Sequence, residues 1–541
     1  MVTDRKILVG IELSLFLVFS TVAVLPFFLV RFVPSLDGPQ HLYTARIIHE
    51  LLLGDEFMHT FFRLNPLPVG NLGSQYLMAL LLFIFPAWIA EKIFLSLCLI
   101  GLALSFRYFI KSVSCHGSLI YLMIFPFGFT SLFMLGYYNF SLAFIPFFIA
   151  LGYFNKLENR YLMRDVLILM MLCILIYFAH AIVFIFFLLI IFLQFIFEFS
   201  YPIIINNKQN DKLSSILKRY GFIAVSCFPA LILLFLYFFS IYNENVEPVS
   251  FSLNKATGSL TDLYRLKILI GFHHGEEAGP NTLLFWILIA LTIMVILSFF
   301  RFFRNIIKLE DSDTVPLEQK KWAFIVSVLL IVTLFIPDQL VTGSMSARFC
   351  VLFFFSLITL FSLQTFPRII MISAIVLILA SFSWHRVVIF KYYKGLNNEI
   401  AAMEQAGEHI QPGSVIYPVN CSDNWLHNHF HCYLGVDKPV VDMRMPQASP
   451  EMPVIWNFDK MPGVLLGELN QEQAGANWIR GNASLETVPA DYIFIWKAQR
   501  VQEEPGVIPL LGKISPYYSL EYRSSDGSVL LYKENTARTP T

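Results

Sequence analysis

Charge is what this chain has least of. Asp, Glu, Lys and Arg make up 14% of its 541 residues, against roughly 25% in ordinary soluble domains. With 57% hydrophobic residues, that shortage excludes a soluble globular protein over most of the length. Neither sign of charge is in excess: 38 basic residues balance 38 acidic ones, so there is no electrostatic footprint for nucleic acid. Cysteine is scarce as well. Of 7 cysteines, Cys98, Cys115, Cys173, Cys227 and Cys350 lie in or beside apolar runs and read as small buried hydrophobes. The start, Met1-Val-Thr-Asp-Arg-Lys6, is basic like that of a signal peptide. It lacks a small-x-small cleavage site, and its apolar run exceeds about 20 residues, so an uncleaved first helix is expected.

What abounds is long apolar sequence, with 55 phenylalanines. Runs of about 17–25 apolar residues cross a bilayer as helices. Candidate spans are 7–32, 91–110, 117–135, 138–154, 164–179, 182–200, 219–241, 281–303, 322–337, 346–363 and 367–390. A further run, 71–87, breaks the charge pattern if it crosses; left out, Arg5/Lys6, Arg107/Lys111, Lys156/Arg160/Arg164, Lys208 to Arg219, Arg301 to Lys321 and Arg368 share one side. That side is cytoplasmic by the positive-inside bias. The expectation is an all-helical polytopic bundle of about eleven spans, 1–390, in a plasma or bacterial inner membrane. Its N-terminus is cytoplasmic, and 71–87 dips into or lies along the outer leaflet. From Lys391 onward charges, prolines and glycines return, and 391–541 reads as a small extracytoplasmic α/β domain.

The chain first leaves the apolar sequence at Ser35-Leu-Asp37-Gly-Pro-Gln-His41. Pro39 suits the first turn of a helix over 39–53, so Asp37 is either its cap or a general base at the interface. His41 and His49 follow on one helical face. Arg348, in Met345-Ser-Ala-Arg-Phe, either snorkels to water or binds a lipid phosphate through its planar fork. His385-Arg386 carries the same ambiguity. His180, in Phe178-Ala-His-Ala-Ile182, either caps backbone groups or joins such a phosphate site. His273 and His274 with Glu276 and Glu277 are candidate metal ligands, although their adjacency does not fit the i,i+4 spacing of established zinc motifs. Glu12, in the first span, is expected to reach water or a neighbouring helix and is given no role.

In the soluble part, Cys421-Ser-Asp-Asn-Trp-Leu-His427-Asn-His429-Phe-His431-Cys432 supports two readings. On a strand the three histidines share a face and could hold a metal with a cysteine; alternatively Cys421 and Cys432 form a disulfide in an oxidising space. Leu396–Ala406 reads as helix. Strands are expected at Ser414–Pro418 and Asp491–Trp496, with a hairpin of Ser519–Arg523 and Ser528–Tyr532 around Ser525-Asp-Gly. Trp425, Trp456 and Trp478 suit either sugar stacking or core packing. Asn-x-Ser triplets stand at Asn420 and Asn482.

The plan resembles the GT-C superfamily of polyprenyl-phosphate-sugar-dependent glycosyltransferases, which includes the protein O-mannosyltransferases and the aminoarabinose transferases. The resemblance rests on the acidic Asp37 in Leu36-Asp-Gly-Pro-Gln-His41, on Asn71-Leu-Gly-Ser-Gln-Tyr-Leu-Met-Ala, and on the basic end of the next span, Ser105-Phe-Arg-Tyr-Phe-Ile-Lys111. It implies an extracytoplasmic transfer of sugar, with inversion, from a lipid-phosphate donor to a hydroxyl of a glycan, lipid or protein. Asp37 and His41 are then catalytic, with Arg348, His180 and Arg386 on the lipid phosphate. Many relatives place a second acidic residue in the turn Leu135-Gly-Tyr-Tyr-Asn-Phe140, where this chain has Asn139. Metal-independent chemistry with no cofactor is therefore expected, and an inactive relative has room. The competing class is a non-enzymatic lipid or glycan transporter or assembly scaffold, although span centres nearly free of charge argue against ion-coupled transport.

Overall fold

In hydrocarbon every backbone N–H and C=O must find a partner within its own segment, and the apolar runs accordingly fold as helices. The computed structural model describes the chain apart from residues 1, 115–117, 158–161, 205–209, 242–252, 308–314, 339–343, 446–447, 449–450, 458–489, 504–510, 512–514, 516–517 and 536–541. Cys115, Arg160, Lys208, Lys308, Trp478 and the Asn482 triplet lie outside the described residues. Among those described, eight helices are long and apolar enough to cross a membrane: Val9–Phe28, Ala87–Val113, Tyr138–Lys156, Ala181–Tyr201, Leu213–Phe239, His274–Phe300, Met345–Ser362 and Arg368–Glu408. The protein is an integral, multi-pass membrane protein. Met163–Ala179, with 17 residues, and Leu317–Phe335, which carries Glu318, Lys320 and Lys321 in its first turns, complete the apolar set.

Two expectations are corrected here. The span expected over 117–135 is broken into Leu119–Met123, Ile124–Gly128 and Ser131–Met134, because Pro126 and Gly128 interrupt the run and Thr130 caps a new turn through its bond from the Phe133 N–H. Conversely, no break separates 367–390 from the helix expected at 396–406: Arg368–Glu408 is one helix of 41 residues. Only Gly395 weakens the junction, and a glycine inside a helix costs just about 1 kcal/mol. Finally, the chain forms two compact units, Met1–Leu29 with Leu95–Lys391, and Val30–Phe94 with Tyr392–Thr541. Residues 30–94 thus group with the C-terminal region in the second unit.

In the first unit Glu12 is neutralised by Arg107 at 2.6 Å and Lys111 at 3.2 Å, with the Tyr121 hydroxyl donating at 3.1 Å. Phenylalanine clusters fill the interior, such as Phe106, Phe109, Phe144, Phe147 and Phe148.

In the second unit a five-stranded sheet runs in the order Val440–Asp442, Ser414–Asn420, Tyr492–Trp496, Val529–Glu534, Tyr518–Arg523. The first three strands are parallel and the last two antiparallel. Tyr492–Trp496 is buried at every position, as expected of a strand covered on both faces. The Asp-Gly hairpin forms as expected: Gly527 takes φ +69°, and Asp526 accepts from Ser524 and from Ser528, which holds its carboxyl down at about 2. The expected 39–53 helix is Gly38–Leu53, ended by the left-handed Gly54. The run 71–87 yields only Gly73–Leu82, ten residues or about 15 Å, half the thickness of a hydrocarbon core. A two-stranded sheet pairs Phe62–Leu64 with Val454–Trp456.

Candidate active site

Asp37 sits at the mouth of the Gly38–Leu53 helix but does not cap it with its side chain. Ser35 Oγ accepts the Gly38 N–H at 3.0 Å instead, so the Asp37 carboxylate is available for other contacts. Its Oδ1 accepts from Gln40 Nε2 at 2.8 Å and faces His429 Nε2 at 3.8 Å, just beyond hydrogen-bond length. Both side chains keep about a fifth of their surface exposed, 21% for Asp37 and 22% for His429. Burial pushes the Asp37 carboxyl up to about 6, against the lowering bond from Gln40. Burial, with His431 and Arg444 nearby, pulls His429 down to about 4. At neutral pH the contact is therefore an ionised carboxylate beside a neutral imidazole, not an ion pair.

The histidine stretch is not a strand. Trp425–Gly435 is a 3-10 helix, started by Asn424, whose side chain accepts the Leu426 N–H. The tighter winding turns the three imidazoles to different partners. His427 lies between Ser422, Asn424 and the Trp496 indole. His429 meets Asp37, and His431 bonds Asp442 Oδ2 through Nδ1. Asp442 is itself fixed, since its Oδ1 accepts the Arg444 N–H at 2.9 Å. Its own N–H donates to the Tyr43 hydroxyl at 2.9 Å, which donates to Val440 O at 2.6 Å.

Cys421 and Cys432 are both buried and form no disulfide with each other, so that one of the two readings is not realised. Cys432 Sγ lies 3.8 Å from His431 Nδ1, and burial next to Asp442 holds its thiol protonated, above the usual range. Among the described residues, His431, Cys432 and Asp442 are the one group with metal-ligand atoms gathered, all within 4.8 Å of one another. Their arrangement is that of a hydrogen bond. His431 Nδ1 and Asp442 Oδ2 are 2.5 Å apart, whereas nitrogen and oxygen ligands of tetrahedral zinc, each about 2.0 Å from the ion, stand roughly 3.3 Å apart. Trp456 is buried against Phe62 at 4.2 Å and serves the core, while Trp425 is exposed.

His41 does not turn to Asp37. It is buried, and its Nδ1 meets Gln75 Nε2 at 2.8 Å, while His49 packs at a tilt against Phe83, ring centroids 4.5 Å apart. The two share a face as expected, but that face packs on Gly73–Leu82 and the residue after it. His429 takes the place beside Asp37 that the spacing assigned to His41. Gln40 is the other contributor that sequence reasoning missed; it stands in the same Leu36–His41 string, three residues on from Asp37.

The first unit holds a buried arginine and histidine of interest. Arg348, in the first turn of Met345–Ser362, is only 6% exposed; its guanidinium lies 5.5 Å from the Tyr137 ring and 6.0 Å from Phe140. His180 meets the edge of the same Phe140 ring at 5.4 Å. Its Nδ1 accepts the Ile182 N–H at 3.2 Å, which puts the ring proton on Nε2. Arg348 and His180 thus share the Phe140 ring, in the first turn of the Tyr138–Lys156 helix.

Arg386 takes different partners. It is 2% exposed, packs 3.7 Å from the Phe129 ring and donates to Ala23 O at 3.0 Å, so it neither snorkels nor joins them at Phe140. Glu277 collects the N–H groups of Gly271, Phe272 and His273 and faces His385. It fixes a loop.

No protein-family model matches the chain, and no curated protein matches it. The chain is similar to two crystal structures of ArnT from Cupriavidus metallidurans, at 10% identity and covering 97% of this chain and 99% of that one. The apo structure gives a TM-score of 0.47, and the structure bound to undecaprenyl phosphate gives 0.41.

Proposed function

We propose that this protein is a membrane glycosyltransferase that moves a sugar from a polyprenyl-phosphate donor to an acceptor hydroxyl on the extracytoplasmic face. One observation carries the reading: Asp37 is a partly exposed carboxylate, poised near 6 by burial and oriented by Gln40. A general base works best when its pKa lies near the working pH. Ionised at neutral pH, Asp37 takes the acceptor's proton as that oxygen attacks the anomeric carbon. The bond from that carbon to the phosphate oxygen breaks on the opposite side, which inverts the centre, and the lipid phosphate leaves with the electron pair.

We assign Arg348 and His180 to binding the lipid phosphate of the donor. Both are buried on aromatic rings, where a preorganised donor counts for more than it does in water. The acceptor is a hydroxyl of a glycan, a lipid or a protein, and the chemistry needs no metal. The resemblance of Leu36–His41 to the first outer loop of the GT-C superfamily supports the same assignment of Asp37. Membranes carrying the protein, supplied with a panel of polyprenyl-phosphate-linked sugars, test it through release of polyprenyl phosphate. Asp37→Asn is expected to lower release by about 10²-fold or more while inserting normally. Wild-type release from that variant overturns the reading.

A further inference from the structure

A cavity of about 290 Å³ lies beside the start of the Met345–Ser362 helix, lined by the hydroxyls of Ser131, Ser259, Thr333, Ser344 and Ser346. Two carboxylates join them, and each is matched by a lysine: Asp262 with Lys267 at 3.1 Å, Asp338 with Lys255 at 3.6 Å. The lining is therefore rich in hydrogen-bonding groups and balanced in charge. A second cavity of about 520 Å³ adjoins it, with Leu263 in both walls. Its lining is apolar: Leu260, Tyr264, Phe285, Leu288, Phe353 and Leu357.

The Leu253–Tyr264 helix divides the two spaces. Ser259 and Asp262 stand on the polar side, Leu260 and Tyr264 on the apolar side, the pattern of an amphipathic helix. Along Met345–Ser362 the lining changes in the same sense. Ser346 and Cys350 face the polar cavity, while Phe353 and Leu357 face the apolar one, about 12–18 Å along the helix from Met345. Polar space thus sits at the end of a span, and apolar space runs down it.

We propose that the adjoining cavities bind one amphiphile, with a neutral, polyhydroxylated headgroup among the hydroxyls and a hydrocarbon chain in the apolar space. An anionic headgroup gains little here, since the lysines beside Asp262 and Asp338 are already engaged by those carboxylates. Arg348 is roughly half a turn round the helix from Ser346 and Cys350, so this site is separate from the one assigned to the lipid phosphate. The volumes suit one sugar-sized head and one chain, each cavity being near or within the usual ~300–1,000 Å³ of ligand pockets. The inference uses neither Asp37 nor Arg348 and stands apart from the transfer chemistry.

The test uses full-length protein in phosphatidylcholine nanodiscs with two photoreactive probes, dodecyl glucoside and dodecyl phosphate, each bearing a diazirine at the chain end. The glucoside is expected to label peptides covering 285–292 and 353–357, and unlabelled dodecyl glucoside should compete. Leu357→Trp, which fills the chain cavity, and Ser259→Trp, which fills the head cavity, should each lower labelling about tenfold, the equivalent of ~1.4 kcal/mol. Asp37→Asn should leave labelling unchanged, which separates this outcome from the catalytic one. Equal labelling of the same peptides by dodecyl phosphate, or full labelling of both tryptophan variants, overturns the proposal.

Discussion

Asp37 and His429 approach to 3.8 Å, Oδ1 to Nε2, although one precedes the helix that follows the first span and the other lies in a 3-10 turn of the C-terminal region. The imidazole is held neutral and the carboxyl is held high by the same cause, exclusion of water. Asp37 is therefore a costly anion kept next to a partner that does not neutralise it. That is the condition of a base awaiting a proton, and it has consequences for stability as well as for rate.

Asp37→Asn should stabilise the fold while it abolishes transfer. Burial raises this carboxyl from 3.8 to about 6. Between those values the folded state holds a proton that the unfolded chain has lost, so stability falls as pH rises through the window. Thermal melts of the two proteins should coincide near pH 4 and separate by pH 7, with the variant higher. A lower melting temperature for Asp37→Asn at pH 7 contradicts the assignment.

The rate of transfer should rise with pH and level off above about 6, as Asp37 loses its proton. His429, already neutral there, contributes no limb of its own in that range. His429→Ala admits water and relieves the desolvation, so the rising limb should move to lower pH. An unmoved limb assigns the titration to another group.

Arg348→Ala should raise the KM for the lipid-phosphate donor more than it lowers kcat, by about tenfold or more, the equivalent of ~1.4 kcal/mol. Arg348→Lys keeps the charge but loses the planar fork over Tyr137 and Phe140, and should restore only part of the affinity. Steady-state kinetics with varied donor distinguishes the two effects.

Tyr43→Phe should destabilise the second unit by about 1–3 kcal/mol, because it leaves the buried Asp442 N–H and Val440 C=O without the phenol that joins them. Gly435→Ala should act at the same place, since a Cβ there would clash with the Tyr43 ring. Limited proteolysis of the detergent-solubilised protein reads both changes.

Local signals in the sequence were reliable where a single residue type decides the backbone. Pro39 marked the start of Gly38–Leu53, and Asp526-Gly527 marked the hairpin. Signals failed where local and long-range preferences conflict. Overall hydropathy hid the interruption at Pro126 and Gly128, and the return of charge at Lys391 suggested a break that helix propensity overrode. At the site, Asp37 was legible from its position at the edge of the apolar sequence. Its partner was not, because the alternation of His427, His429 and His431 fits a strand as well as a 3-10 turn. Only the turn sends the middle imidazole to Asp37 and its neighbour to Asp442.

The pairing of Phe62–Leu64 with Val454–Trp456 bears on how the protein is made. A ribosome releases the early strand long before its mate, so the segment containing Asp37 must wait, edge unpaired, while the remaining spans enter the bilayer. Contacts between such distant stretches form slowly, and an unpaired edge invites misassembly. Biogenesis should therefore depend on about the last sixth of the chain: truncation before Val454 is expected to leave residues 30–94 open to protease even where every span has inserted.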